Sequence, residues 1–199
     1  MQSLPDTAWN AWTPRELAER LREAPFEWYV VGGWALDLWH GRETRAHADL
    51  EFAVLAEDVA RCRALFSDLE FFTARDGTLD YLAPSTAPLK QVAQFWGADM
   101  RKGCWRVEMM LDLGTSDVWI YKRNPAIHMP RTDAIRKSPR DIPYLAPANV
   151  LLFKAKYRKE KDESDFRRAL PNFLPSERAT LRNWLEQAHP GHTWIQSLQ

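Results

Sequence analysis

Hydrophobic positions recur with two different periods along the chain, and the change of period divides it. Leu17 and Leu21 fall four apart behind Thr13-Pro14-Arg15-Glu16. That run supplies an N-cap, a proline at the first helical position and a glutamate three residues after the cap, so a helix is predicted that ends near Pro25. Glu27 to Val31 is dense in β-formers and stops at Gly32-Gly33, which reads as a strand and then a turn. Helical spacing returns over 34–40, a polar loop follows over 41–45, and 49–55 reads as a second strand. A helix is predicted over 58–66, with Val59, Cys62 and Phe66 on one face. Strands are predicted at 69–74, 79–82, 92–95, 104–112 and 118–122. Residues 124–147 carry five prolines and read as loop with short elements. Beyond them 149–157, 163–170 and 177–188 look helical. The expected organisation is a mixed α/β part over 1–143 and a helical part over 144–199, with no internal repeat.

Composition narrows the class. Of the 199 residues 45% are hydrophobic and 27% charged, the balance of an ordinary globular protein rather than a disordered chain. The 27 Lys+Arg equal the 27 Asp+Glu, so the formal charge is zero. That removes the electrostatic footprint of a nonspecific nucleic-acid binder, and nucleic acid is not expected as a partner. Cys62 and Cys104 are too few for a disulfide framework and are expected as buried reduced thiols. No apolar run approaches the roughly 20 residues that cross a bilayer, so no membrane partner is expected. The N-terminus lacks the pattern of a secretory signal, and the expected location is cytoplasmic. Ten Trp are unusual, and several are expected to be structural.

Three motifs carry candidate chemistry. Gly32-Gly33 lies between a predicted strand and a predicted helix. Glycines there allow positive φ and close approach, and the helix N-terminus is suited to phosphate; the same dipeptide also reads as a plain turn. Asp49-Leu50-Glu51 falls on a predicted strand, where residues two apart share a face. The two carboxylates repel each other, and a divalent cation with a taste for hard oxygen ligands, such as Mg²⁺, would relieve that cost. A solvated polar face is the other reading. Glu108 sits inside the otherwise apolar run 104–112, where a carboxylate is costly unless paired or metal-bound. Asp112 shares its face, and Glu108 is preferred as the third member. Three carboxylates around metal ions recur in phosphoryl and nucleotidyl transfer. Arg42 and Arg45 could neutralise triphosphate oxygens. His47 is expected to act as a structural hydrogen-bonding residue. Lys154 could reach a phosphate, and Lys161, Asp162 and Asp165 could form a charge cluster that fixes the C-terminal helices. His189 and His192 are expected in a terminal turn.

At these residues the chain resembles the nucleotidyltransferase superfamily of the DNA polymerase β type, and more closely the aminoglycoside-2″-adenylyltransferase and lincosamide nucleotidyltransferase group. The resemblance runs through 30–39 and 41–51, then Pro147 to Leu152, Lys161-Asp162, Asp165-Phe166 and 190–194. It implies an α/β (α+β) fold: a small mixed β-sheet flanked by helices, with a helical C-terminal part that closes one side of the nucleotide cleft. It implies Mg²⁺-dependent transfer of a nucleoside monophosphate, AMP from ATP being the expected case, to a hydroxyl of a small acceptor. Carried onto this chain, Gly32 and Gly33 would face the triphosphate, and Asp49, Glu51 and Glu108 would hold the metal. Two positions depart from the group: Glu51 stands where Asp is usual, and Ala148 where Glu is common. The resemblance leaves open a protein or RNA acceptor, as in the nucleotidyltransferases of toxin–antitoxin pairs, and a nucleotide-binding module without chemistry. The oligomeric state is not legible.

Overall fold

The protein is described by a computed structural model that covers residues 3–88 and 92–199. Among the described residues there are ten strands and eight α-helices, mixed through the first three quarters of the chain before helices take over. Helix α1 (Pro14–Arg20) opens with the expected capping box, in which Thr13 and Glu16 satisfy each other's backbone N–H groups. Strand β1 (Trp28–Val30) runs directly into α2 (Gly32–His40), which ends on Gly41 in the left-handed conformation. There follow β2 (Glu51–Leu55), α3 (Val59–Leu65), β3 (Glu70–Arg75), β4 (Thr78–Leu82), β5 (Gln94–Asp99), β6 (Cys104–Asp112) and β7 (Val118–Ile120). The proline-rich stretch holds β8 (His128–Pro130), the short α4 (Arg131–Ala134), β9 (Ile135–Lys137) and β10 (Pro143–Leu145). The remainder is α5 (Pro147–Lys154), α6 (Glu160–Ala169), α7 (Pro175–Ala188) and α8 (Trp194–Ser197).

Eight strands form one mixed sheet in the order β4-β3-β5-β6-β2-β1-β10-β9, and β7 and β8 form a separate hairpin. Only β1/β10 and β2/β6 are parallel; the other pairs are antiparallel. The mixed sheet with flanking helices and a helical C-terminus is the expected class. Two features differ in detail. The proline-rich stretch contributes two strands to the main sheet, β9 and β10, so the sheet runs two residues past position 143 and the first C-terminal helix begins at Pro147. Strand β5 extends to Asp99 rather than ending at Phe95. Gly97 interrupts the apolar pattern there because it sits at a β-bulge, where a Cβ would press on Leu69 and Val107.

One face of the sheet packs against helices through a large apolar core, in which Phe52, Val54, Val107 and Met109 are fully excluded from water. The other face carries a second aromatic cluster around Phe72 and Trp105, covered by the N-terminal segment. That segment is held by backbone bonds from Trp105 N to Ala8 O and from Asn10 N to Trp105 O, at 2.8 and 3.1 Å. Cys62 and Cys104 are both buried free thiols.

Candidate active site

The parallel pairing of β2 with β6 sets Glu51 opposite Glu108. Neighbouring strands lie roughly 4.8 Å apart, so two carboxylates on one face at matched register must feel each other. Both do. Burial, then the charge of Asp49, pushes the Glu51 carboxyl above its ordinary range. Glu108 is pushed up to about 8 by burial, then by Glu51 and Asp49. Asp49 is not on the strand: β2 begins at Glu51, and Asp49 ends the preceding loop. Its backbone is held by Trp34, whose indole N–H donates to the Asp49 carbonyl at 3.1 Å. Glu108 accepts from the Gln94 side chain on β5 at 2.9 Å, a partner with no signal in the sequence.

The alternative third carboxylate is committed elsewhere. Asp112 accepts from the Tyr29 hydroxyl and the Gly114 N–H, each at 2.8 Å, and from Arg131. A buried carboxylate with that set of donors is a structural ion pair.

Gly32 and Gly33 serve close approach, each to a different neighbour. Gly32 has φ of +64°, and a Cβ there would lie 1.8 Å from the Glu51 carboxylate, so β2's glutamate rests on the helix start. A Cβ on Gly33 would strike Arg45 and His47 at 2.2 and 2.7 Å. No side chain caps the N-terminus of α2, whose first residue lines the cleft beside Glu51. An anion there would meet backbone N–H groups and the positive end of the helix dipole.

Glu51 and Glu108 line a cleft of about 770 Å³; Asp49 stands outside its lining and acts on them through its charge. The facing wall is basic: Lys122 and Arg123 follow β7, and Lys154, Lys156, Lys159 and Lys161 come from the end of α5 and the start of α6. Lys122, Lys154 and Lys161 all lower the cost of charging Glu51. Lys122 is itself pushed down by burial and by Arg123. Lys122 sits at the end of a predicted strand, and nothing in its local pattern marks it; tertiary placement alone brings it to the site.

The expected cationic residues separate into different places. Lys154 lines the cleft, but its ammonium is bonded to Asp162 and Asp165 at 2.9 and 3.0 Å. Arg45 does not line the cleft: it grips Asp165 through Nε and Nη2 at 3.1 and 3.2 Å. Arg42 is exposed just past the C-terminal end of α2, the end opposite the carboxylates, because the helix runs away from the cleft. The cluster expected of Asp162 and Asp165 does tie the C-terminal helices together, whereas Lys161 faces the cleft.

A chain of polar contacts behind the site links these groups. Arg45 can only donate, so His47 Nδ1 accepts from it at 3.1 Å and the opposite ring nitrogen donates to buried Asp37 at 2.6 Å. Asp37 also accepts from Thr44, and the His47 ring stacks on Trp34 at 4.2 Å. Trp34 thus braces both His47 and the backbone of Asp49. Asp37 is the residue the sequence could have flagged, as an acid on the buried side of an apolar helix. His192 lies in a terminal turn as expected, with its ring bonded to the Ala155 carbonyl at 3.1 Å. Ala148 is buried in the core, away from the cleft lining.

The donor chemistry at Asp49, Glu51 and Glu108 fits a hard divalent cation: carboxylate oxygens only, two of them raised by burial and mutual repulsion. Among the described residues no three acidic, His or Cys side chains already form a closed metal shell. The carboxylates share a field rather than a coordination sphere.

Comparison with known proteins bears on the fold. Residues 15–86 match the family model for aminoglycoside-2″-adenylyltransferase, a span that holds Gly32, Gly33, Asp49 and Glu51. Solved structures of aminoglycoside- and lincosamide-modifying nucleotidyltransferases share this chain's fold. The structure of ANT(2″)-Ia in complex with adenylyl-2″-tobramycin superposes with a TM-score of 0.59 at 12% identity, covering 87% of this chain and 95% of that one. Lincosamide antibiotic adenylyltransferase LnuA, lincomycin-bound, gives 0.55 at 14% identity, covering 83% and 96%. At such identities the likeness to these structures is one of fold. No curated protein sequence matches the chain. Among the described residues no helix is long and apolar enough to cross a membrane.

Proposed function

We propose that the chain is a nucleotidyltransferase that moves a nucleoside monophosphate, AMP from ATP, onto a hydroxyl of a small acceptor. The observation that carries this is one cleft whose lining joins Glu51 and Glu108, both under the charge of nearby Asp49, with Lys122, Lys154 and Lys161. The basic wall and the N-terminus of α2 would bind the triphosphate. The acidic wall would hold Mg²⁺ through Asp49, Glu51 and Glu108; when bound, the ion neutralises phosphate charge and acidifies the acceptor hydroxyl. The acceptor oxygen forms a bond to the α-phosphorus, the bond from that phosphorus to the bridging oxygen breaks, and pyrophosphate leaves. Glu108, with its raised affinity for protons, would take the hydroxyl proton. The helices from 144 onward close one side of this cleft. The setting we propose is cytoplasmic.

The test is a screen of aminoglycosides, lincosamides and other polyols for pyrophosphate release from ATP and Mg²⁺. Release that needs both acceptor and metal is the expected result. Tight binding of a nonhydrolysable triphosphate with no release for any acceptor would reduce the chain to a binding module. Label from ATP appearing on a protein or RNA in cell extract would move the acceptor to a macromolecule.

A further inference from the structure

The two ends of the cleft differ in chemistry, and the sheet order shows how. From the carboxylates in one direction lie the lysines of α5, α6 and the loop between them. In the other direction the floor crosses β6, β5, β3 and β4, which are consecutive in the sheet. Register sets Trp96 beside Glu108 and Gln94 beside Met110. Ala74 pairs with Leu79 on the next two strands out. All of these line the cleft. Apart from Glu108 and Gln94, which are engaged with each other, these are apolar or aromatic, and the polar Arg75, Asp76 and Thr78 stand exposed at the rim.

Charge is scarce on this floor. Among the described residues the carboxylates lining that end are Asp6 and Asp76, both exposed at its rim, and Asp112. Asp76 stands on the β3–β4 turn, 3.7 Å from Arg75. Asp112 is held by Arg131, Tyr29 and Gly114. A polycationic acceptor needs several unpaired carboxylates within the site to replace its hydration, and here Asp6 and Asp76 stand only at the exposed rim. The floor offers Trp96 instead. That ring is fixed edge-on between Trp9 at 4.9 Å and Trp105 at 5.2 Å, a platform ordered before any ligand arrives. The nucleotide base does not need this platform. Tyr157 stands exposed at the basic end with Arg123, Lys156 and Lys159 around its ring, suited to a base that follows its phosphates.

We propose that the acceptor is an uncharged hydroxyl compound with an apolar or aromatic face, which lies on Trp96 and Met110 and presents its hydroxyl to Glu108. This rests on the nucleotidyl-transfer reading for the placement of the triphosphate at the basic end. The transfer is the one written above: the hydroxyl oxygen joins the α-phosphorus, pyrophosphate leaves and the proton passes to Glu108.

Calorimetry on the full chain, loaded with a nonhydrolysable ATP analogue and Mg²⁺, separates the possibilities. The probes are phenyl β-D-glucoside, uncharged with one aromatic face, and tobramycin, a polycation. The glucoside should bind about tenfold or more tightly than tobramycin. Trp96→Ala should weaken the glucoside by a similar factor while leaving the affinity for the ATP analogue unchanged. Leu79→Asp, a milder change on a partly exposed floor position, should shift preference toward tobramycin even if the Trp96 variant fails to fold. Tighter binding of tobramycin, equal binding of both probes, or indifference of the glucoside to both substitutions would overturn the proposal. If the ATP analogue itself does not bind, the nucleotidyl-transfer reading falls. The same pair of probes on the unloaded protein then decides the floor's preference by the same criteria.

Discussion

Two clusters of charge lie on either side of Trp34, and they are built on opposite principles. Behind it, Asp37, His47, Arg45, Asp165 and Lys154 form a closed chain in which every carboxylate has donors. Asp165 alone receives Arg45, Lys154 and Arg168. In front of it, burial and the charge of Asp49 raise the proton affinity of Glu51 and Glu108, and Glu108 accepts from the Gln94 amide. A compensated cluster fastens parts of the fold together; an uncompensated one at the wall of a cleft carries a cost that only a ligand relieves. The first cluster joins the loop that carries Asp49 to the C-terminal helices, so the satisfied network positions the frustrated one.

The contrast breaks most sharply at the frustrated end. Glu108→Gln should reduce turnover by about 10²-fold or more, the usual contribution of a proton acceptor. It should not destabilise the protein. With its carboxyl pushed up to about 8, Glu108 is largely neutral at pH 7 without metal, and glutamine copies that state. Asp49→Ala should likewise abolish pyrophosphate release with the fold intact. A large fall in thermal midpoint for Glu108→Gln would show that the acidic wall is structural.

The compensated end should respond in the opposite sense. Asp165→Ala leaves half-buried Arg45 and Lys154 without their shared anion, though Lys154 keeps Asp162, and should cost about 2–3 kcal/mol of stability. A pH titration sharpens this. Burial pushes the Asp165 carboxyl up, but the Arg45 hydrogen bond and the Lys154 charge outweigh it, so its pKa lies below the ordinary value. The native state therefore holds this proton less tightly than the unfolded chain, whose Asp titrates near about 3.9. The stabilisation is complete above that pH and fades as pH falls through the native value. Urea unfolding between neutral pH and pH 3 should show this loss in the natural chain and a flatter profile in Asp165→Ala.

How far the site was legible from the sequence follows the same division. Features set by local chain chemistry could be read: the capping box at Thr13, strand-turn-helix around Gly32-Gly33, and strand β6 to the residue. The proline-rich stretch hid β9 and β10, because their strand character comes from pairing, β10 with β1 and β9 with β10, rather than from three-residue patterns of their own. Glycine spacing announced close approach, but not that Glu51 and Arg45 do the approaching. Lys122 and Gln94 carried no signal, since only the tertiary fold brings them to Glu108.

A smaller effect is expected at Glu51, which rests on Gly32. Glu51→Asp shortens the side chain by one methylene, and Mg²⁺ ligation at about 2.0–2.1 Å tolerates little error. The variant should need more Mg²⁺ for half-maximal activity. Glu51→Gln keeps the length, loses the charge and should be the more damaging. Superimposable Mg²⁺ titrations for all three proteins would remove Glu51 from the metal set.

The smallest effect separates two arginines three residues apart. From the sequence, Arg42 and Arg45 looked equivalent, two guanidiniums in one polar loop before the acidic strand. The fold divides them. Gly41, in the left-handed conformation, ends α2, so Arg42 leaves the helix at its far end and stays in solvent. Arg45 folds back onto Gly33 and clasps Asp165. An exposed side chain away from any such feature is worth within about 0.5 kcal/mol, and a charge far from the cleft is screened by salt. Arg42→Ala should therefore leave stability and the affinity for a nonhydrolysable triphosphate unchanged. Arg45→Met keeps much of the side chain's length but removes one of the cations around Asp165. It should lower stability, and with it turnover, because the loop bearing Asp49 loses its tie to α6. Thermal midpoints and triphosphate calorimetry on the two variants decide it. A weaker triphosphate affinity in Arg42→Ala would put that residue at the phosphates and require the loop to move on binding.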